Sequence, residues 1–186
     1  MLIPLTPHTY FTQENRTVIE LARAEGLDRQ ALTARAVRHF DNYSCCIPDE
    51  TLRIIKTVTG KPEFASYPAH LSISHSGDYF ALAISSRPVG IDLQEHRPVE
   101  AEKLAHRFFH PEEEAYVLAG GEFDKVMRFY RIWTAKEAYV KMTGTGIDGQ
   151  FSKFSVLSLP QPISWIHMEE GYTLSVCGNT LLPLLF

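Results

Sequence analysis

The segment Phe129-Tyr-Arg-Ile-Trp-Thr-Ala-Lys-Glu-Ala-Tyr-Val-Lys141 constrains this chain more than any other. It contains no glycine or proline, and the spacing predicts a helix from about Asp124 to Met142, stopped by Gly144-Thr-Gly146. It carries aromatic and aliphatic residues at Phe129, Tyr130, Ile132, Trp133, Tyr139 and Val140. Glu137 and Lys141 are four residues apart and therefore share one face. Upstream, Val89-Gly-Ile-Asp-Leu-Gln94 reads as a strand, with Asp92 and Gln94 on the same side. An acid on a strand and an acid beside a lysine on a helix make a site for a divalent cation and a phosphate, if the fold brings them together.

Composition narrows the classes. Of 186 residues, 45% are hydrophobic and 22% charged, a globular balance rather than a disordered one. The net charge of −4 argues against a bulk nucleic-acid binder. Cys45 and Cys46 are adjacent and Cys177 stands alone, so the three cysteines read as free thiols of a reducing cytoplasm. The first residues lack the basic flank and apolar core of a secretory leader. No apolar stretch approaches the roughly 20 residues that cross a bilayer.

Along the chain, Val18, Leu21 and Ala22 suggest a helix over Thr12–Glu25, ending at Gly26. Asp28 is placed to cap a second helix that runs to about Phe40. Gly60-Lys-Pro-Glu-Phe64 reads as a loop with Lys61 at its tip. Strands are expected at Leu71–Ser74, Tyr79–Ser85 and Val89–Leu93, with a turn at Ser74-His-Ser-Gly77. Helices follow over Val99–Phe109 and Glu112–Leu118, then the long helix. The tail reads as strands at Phe154–Leu157, Ile163–Met168 and Tyr172–Cys177. Gly90-Ile-Asp92 recurs as Gly146-Ile-Asp148, which hints at two similar halves joined near residue 88.

Taken singly, each polar residue has an ordinary explanation. Asp92 after Gly-Ile is a turn former, Glu137 and Lys141 are an exposed helix pair, and Trp133 is core. His75 is a loop histidine and Lys61 a solvated lysine. No Gly-x-Ser-x-Gly elbow and no Gly-Lys-Ser/Thr phosphate loop is present. Their joint order is another matter. Gly60-Lys-Pro62, Ile73-Ser-His-Ser-Gly77, Gly90-Ile-Asp92, Phe108-Phe109, Trp133-x-x-Lys136-Glu137-x-x-x-Lys141, Phe154-Ser-Val156 and Gly171-Tyr172 follow one another along the chain. In that order they resemble the 4′-phosphopantetheinyl transferases, in particular the two-lobed monomeric type that activates nonribosomal peptide and polyketide carrier proteins.

The resemblance implies an α+β fold of two pseudo-twofold lobes, 1–88 and 89–186, each a helix on a small, mostly antiparallel sheet, with the active site in the cleft between them. It implies transfer of the phosphopantetheine arm of coenzyme A to a serine of an acyl or peptidyl carrier protein, with Mg²⁺ and release of 3′,5′-ADP. Carried over by position, Asp92, Glu137 and Gln94 would be metal ligands, with Gln94 where the family usually has Glu. Glu137 and Lys141 would be catalytic. Lys61, Ser74, His75 and, less directly, Lys136 would bind coenzyme A. Arg35 and Arg38 on the second predicted helix are candidates for further coenzyme contacts, and Arg97–Phe109 for the carrier. A monomer in the cytoplasm, with neither nucleic acid nor membrane as partner, completes the expectation. Two other readings stay open: a carrier-binding module without catalysis, and a metal-dependent hydrolase of a coenzyme A or nucleotide pyrophosphate.

Overall fold

Every residue of Tyr79–Ser85 is buried, as an almost unbroken apolar run predicts for a central strand. The computed structural model describes residues 8–11, 16–41, 49–146, 151–166, 168 and 171–178. In it, four strands form an antiparallel sheet in the order β1 (His8–Phe11), β2 (Arg16–Arg23), β6 (Tyr79–Ser85), β5 (His70–Ser76). Side chains alternate across it. Phe80, Leu82 and Ile84 meet α1 (Arg29–Phe40), whose Leu32, Ala36, Val37 and Phe40 are buried. Asp28 caps α1 as expected, accepting from the N–H groups of Gln30 and Ala31 at 2.9 and 3.0 Å.

Tyr79, Ala81 and Ala83 point the other way, into a core shared with Ile91, Leu93, Leu174 and Val176. The latter belong to a second antiparallel sheet, β7 (Gly90–Glu95), β9 (Tyr172–Cys177), β8 (Ile163–Ile166), with β9 central. Its far face carries α4 (Glu122–Thr143), and α2 (Ala101–Phe108) and α3 (Pro111–Leu118) pack beside that helix. The layers therefore run helix, sheet, sheet, helix, an α+β arrangement as expected. A small hairpin, β3 (Ile54–Lys56) with β4 (Pro62–Phe64), flanks β5. Among the described residues no helix is long and apolar enough to cross a membrane.

The second sheet meets α4 unusually closely at Gly90. A Cβ there would lie 1.8 Å from the carbonyl oxygen of Ala138 and 2.6 Å from the amide nitrogen of Met142, so the helix backbone rests directly on the strand. Gly90→Ala must push α4 off β7 and is expected to cost about 1–3 kcal/mol. Urea denaturation reads this directly; an unchanged midpoint would mean that α4 lifts freely.

Four local expectations are corrected. The first predicted helix is instead β2: Thr17-Val18-Ile19 is a β-branched run, and Val18 and Ile19 are buried on opposite faces. Residues 12–15 of that expectation lie outside the described residues. Ser74-His-Ser76 is not a turn, because β5 continues to Ser76 and the chain reverses at Gly77-Asp78, with Gly77 at φ +52°. Lys61 is not at a loop tip; it precedes β4, and its side chain runs inward to α4. Phe154–Leu157 forms no strand, since the Phe154 carbonyl and the Val156 N–H are bound by side chains instead of a neighbouring strand. The recurrence at Gly146-Ile-Asp148, together with Cys45 and Cys46, falls at least partly outside the described residues.

Candidate active site

Because Gly90 admits α4 so closely, the next residue on the same face of β7, Asp92, lies under the helix. Asp92 is 2% exposed. Its Oδ1 accepts from Lys141 Nζ at 2.7 Å and from Ser74 Oγ at 2.8 Å. Lys141 Nζ also donates to Ser74 Oγ at 3.1 Å. Asp92 Oδ2 faces Gln94 Nε2 at 3.3 Å. Strand alternation places Asp92 and Gln94 together, and helical spacing places Glu137 one turn before Lys141.

Glu137 is buried, and its carboxyl is pushed up to about 7 from an ordinary value of 4.5. Burial is the main cause and the negative charge of Asp92 adds to it, while Lys141 opposes both. Two acids crowded out of water in this way form a donor set that a hard divalent cation relieves, with Gln94 able to turn its amide oxygen toward the ion. Only two of these three donors are anionic, and among the described residues no group of three or more His, Cys, Asp or Glu side chains is placed to hold a metal ion.

The other expected residues divide. Lys61 is half-buried and donates through Nζ to the Met142 carbonyl at 2.9 Å, near the end of α4. That contact uses one of its three protons, and burial holds its pKa below the ordinary lysine value. His75 is exposed on β5. Ser74, by contrast, is buried within the Asp92–Lys141 cluster. Lys136 does not join the cluster. It is fully buried, its Nζ 2.8 and 2.6 Å from the two Glu113 oxygens and 2.6 Å from the Phe154 carbonyl. On an ideal helix it points about 100° away from Glu137. Arg35 is engaged by the buried Glu20 carboxylate at 2.7 Å, whereas Arg38 is exposed. In α2, Leu104 and Phe108 pack against the α4 core.

Sequence reasoning missed Glu113, hidden in the triplet Glu112-Glu113-Glu114. Its one signal is the capping-box position three residues after His110, whose N–H it accepts at 2.9 Å.

Residues 88–177 match the family model described as the 4′-phosphopantetheinyl transferase superfamily. Over 179 residues the chain is 37% identical to the 4′-phosphopantetheinyl transferase gsp of Aneurinibacillus migulanus, covering 89% of this chain and 75% of that protein. It is 33% identical over 156 residues to 4′-phosphopantetheinyl transferase psf-1 of Bacillus pumilus, covering 76% of this chain and 66% of that protein. It is likewise 33% identical over 134 residues to 4′-phosphopantetheinyl transferase Sfp of Bacillus subtilis strain 168, covering 64% of this chain and 59% of that protein.

Proposed function

Given that the chain belongs to the 4′-phosphopantetheinyl transferase superfamily, we propose that it transfers the phosphopantetheine arm of coenzyme A to a serine of an apo carrier protein and releases 3′,5′-ADP. The observation that carries this reading is the convergence of Asp92, Glu137 and Lys141 where α4 crosses β7. Asp92 and Glu137, with the Gln94 amide oxygen, would hold Mg²⁺, which when bound neutralises charge on the coenzyme A pyrophosphate.

The chain's own residues do the rest. Glu137 accepts the proton of the carrier serine hydroxyl, directly or through a water, as the serine oxygen bonds to the β-phosphorus. The bond from that phosphorus to the bridging oxygen breaks, and the oxygen leaves with 3′,5′-ADP. Lys141 spends two of its three protons on Asp92 and Ser74, so one remains for the departing phosphate. Lys61, with two protons left, and the exposed His75 hold the other phosphates of the coenzyme. In this reading residues 1–88 supply the phosphate contacts and residues 89–186 the metal and catalytic groups, and the monomer works in the cytoplasm.

The direct test is intact-mass spectrometry of an apo carrier protein incubated with this protein, coenzyme A and Mg²⁺. A gain of one phosphopantetheine arm on the serine, absent without metal, is the expected result. No gain across peptide-synthetase, polyketide and fatty-acid carriers would overturn the reading. Free phosphopantetheine released without any carrier would instead mark a hydrolase. Gln94→Glu restores a third anionic donor and is expected to lower the half-maximal Mg²⁺ concentration by roughly three- to tenfold. An unmoved Mg²⁺ curve would remove Gln94 from the ion.

A further inference from the structure

Helix α4 rests on the second sheet largely through apolar groups: Ala135, Ala138 and Met142 share a core with Ile163 and Cys177. Apolar burial is non-directional, so by itself it holds a helix against a sheet without fixing the helix's rotation. A buried hydroxyl pair crosses this contact. Thr134 Oγ1 and Ser175 Oγ lie 2.6 Å apart, and both residues are 0% exposed. Thr134 gives its own proton back to the Tyr130 carbonyl at 2.8 Å, so Ser175 is the donor to Thr134.

The pair stands at a particular place. Ser175 on β9 is the register partner of Asp92 on β7. Residues directly opposed in an antiparallel ladder point to one face, with Cβ atoms about 4.5–5.5 Å apart. Thr134 comes three residues before Glu137 and seven before Lys141, on the same side of α4. The bond therefore joins the strand position next to Asp92 to the helix position about one turn before Glu137. If α4 turned or slid, both hydroxyls would be left unpaired in a dry interior, and each such loss carries a full desolvation penalty. Resting on the function proposed above, we infer that Thr134 and Ser175 are positioning residues, whose bond fixes the rotation and height of α4 over the sheet and so the places at which Glu137 and Lys141 meet Asp92. The chain supplies a control of the same chemistry. Thr17 Oγ1 and Ser85 Oγ form another buried hydroxyl pair at 2.9 Å, joining β2 to β6 in the first sheet.

The experiment compares Thr134→Val, Ser175→Ala, the double variant and Thr17→Val by thermal unfolding, by calorimetric titration with Mg²⁺ alone, and by steady-state transfer kinetics. Each single change orphans a buried hydroxyl and should lower the melting temperature. The double variant removes both hydroxyls and should recover part of that loss. Function should not follow stability. The double variant should still bind Mg²⁺ roughly tenfold more weakly and turn over about 10–100-fold more slowly, because a displacement of about 1 Å suffices for that. Thr17→Val should keep the Mg²⁺ affinity and kcat of the unaltered protein. Thr134→Ser retains the hydroxyl and should retain both, which guards against a misfolded valine variant. A double variant with unaltered Mg²⁺ affinity and kcat would overturn the inference and leave the function standing. So would a change confined to KM for coenzyme A, or a Thr17→Val loss of the same size, which would mark general loosening. If the unaltered protein transfers nothing, the proposed function falls and the Mg²⁺ titration alone decides the inference; if it binds no Mg²⁺ either, the inference falls too.

Discussion

Glu137→Gln is expected to reduce transfer by about 10²–10⁴-fold, the usual worth of a general base, and further if a metal ligand is lost with it. The same change should make the ligand-free protein more stable at alkaline pH. The folded-state pKa of Glu137 is raised to about 7, above its ordinary 4.5, because the carboxylate is buried beside Asp92. The folded protein therefore binds the proton more tightly than the unfolded chain does. The resulting stability is complete below pH 4.5 and is lost as the pH rises through 7. A shift of that size corresponds to about 3 kcal/mol. Glutamine carries no charge and escapes the penalty. In chelator, the variant should melt several degrees above the unaltered protein at pH 8, and the two should converge near pH 5. Mg²⁺ should then narrow the gap at pH 8, because an anionic carboxylate binds it more tightly than a neutral amide does. Melts that stay parallel from pH 5 to pH 8 would show that Glu137 is not held in a charge-hostile site. Undiminished transfer would remove it from catalysis altogether.

The candidate site was half legible in the sequence. Asp92, Glu137 and Lys141 could be placed on faces by period alone, since strand and helix repeats fix which residues look the same way. That those faces meet depends on Gly90, whose meaning appears only when the Ala138 carbonyl is found against it. The α+β class, the capped helix α1, the buried strand β6 and the long helix α4 were all readable from local pattern. β2 was not, because Val18, Leu21 and Ala22 fit a helix by spacing while Thr17-Val18-Ile19 fits a strand by branching, and only the ladder to β6 decides. The turn expected at Ser74-His-Ser-Gly77 failed for a related reason, because β5 runs on to Ser76. A Ser-x-Ser-x-Ser alternation looks like a polar face, yet its partners are the backbone amides of a strand nineteen residues away. The tail segment at Phe154 failed because its backbone partners are side chains of α3 and α4, which no local window contains.

Those side chains, Glu113 and Lys136, form the second large effect. The pair is fully buried. Glu113 accepts from Lys136 Nζ, from Val156 N–H at 2.7 Å and from His110 N–H at 2.9 Å. Lys136 also donates to the Phe154 carbonyl, and its ammonium lies over the Phe154 ring, 4.1 Å from the centroid. Burial lowers the lysine's pKa, and the hydrogen bond and charge of Glu113 raise it back in part. Removing one member leaves the other's charge buried and unpaired. Glu113→Ala or Lys136→Ala should each cost about 3–5 kcal/mol in denaturant unfolding. The double change Glu113→Leu with Lys136→Met should cost far less than the two single costs combined, because no isolated charge remains, although Val156 N–H and the Phe154 carbonyl lose their partners. That double variant also separates a structural lysine from a phosphate ligand. With the fold kept, its KM for coenzyme A should match that of the unaltered protein. A raised KM in a stable double variant would return Lys136 to the coenzyme, and additive single costs would mean the two charges do not depend on each other. Adjacent residues on one helix thus face different ways: Lys136 points into the interior to tie α4 to α3 and the chain around Phe154, whereas Glu137 feels the charge of Asp92.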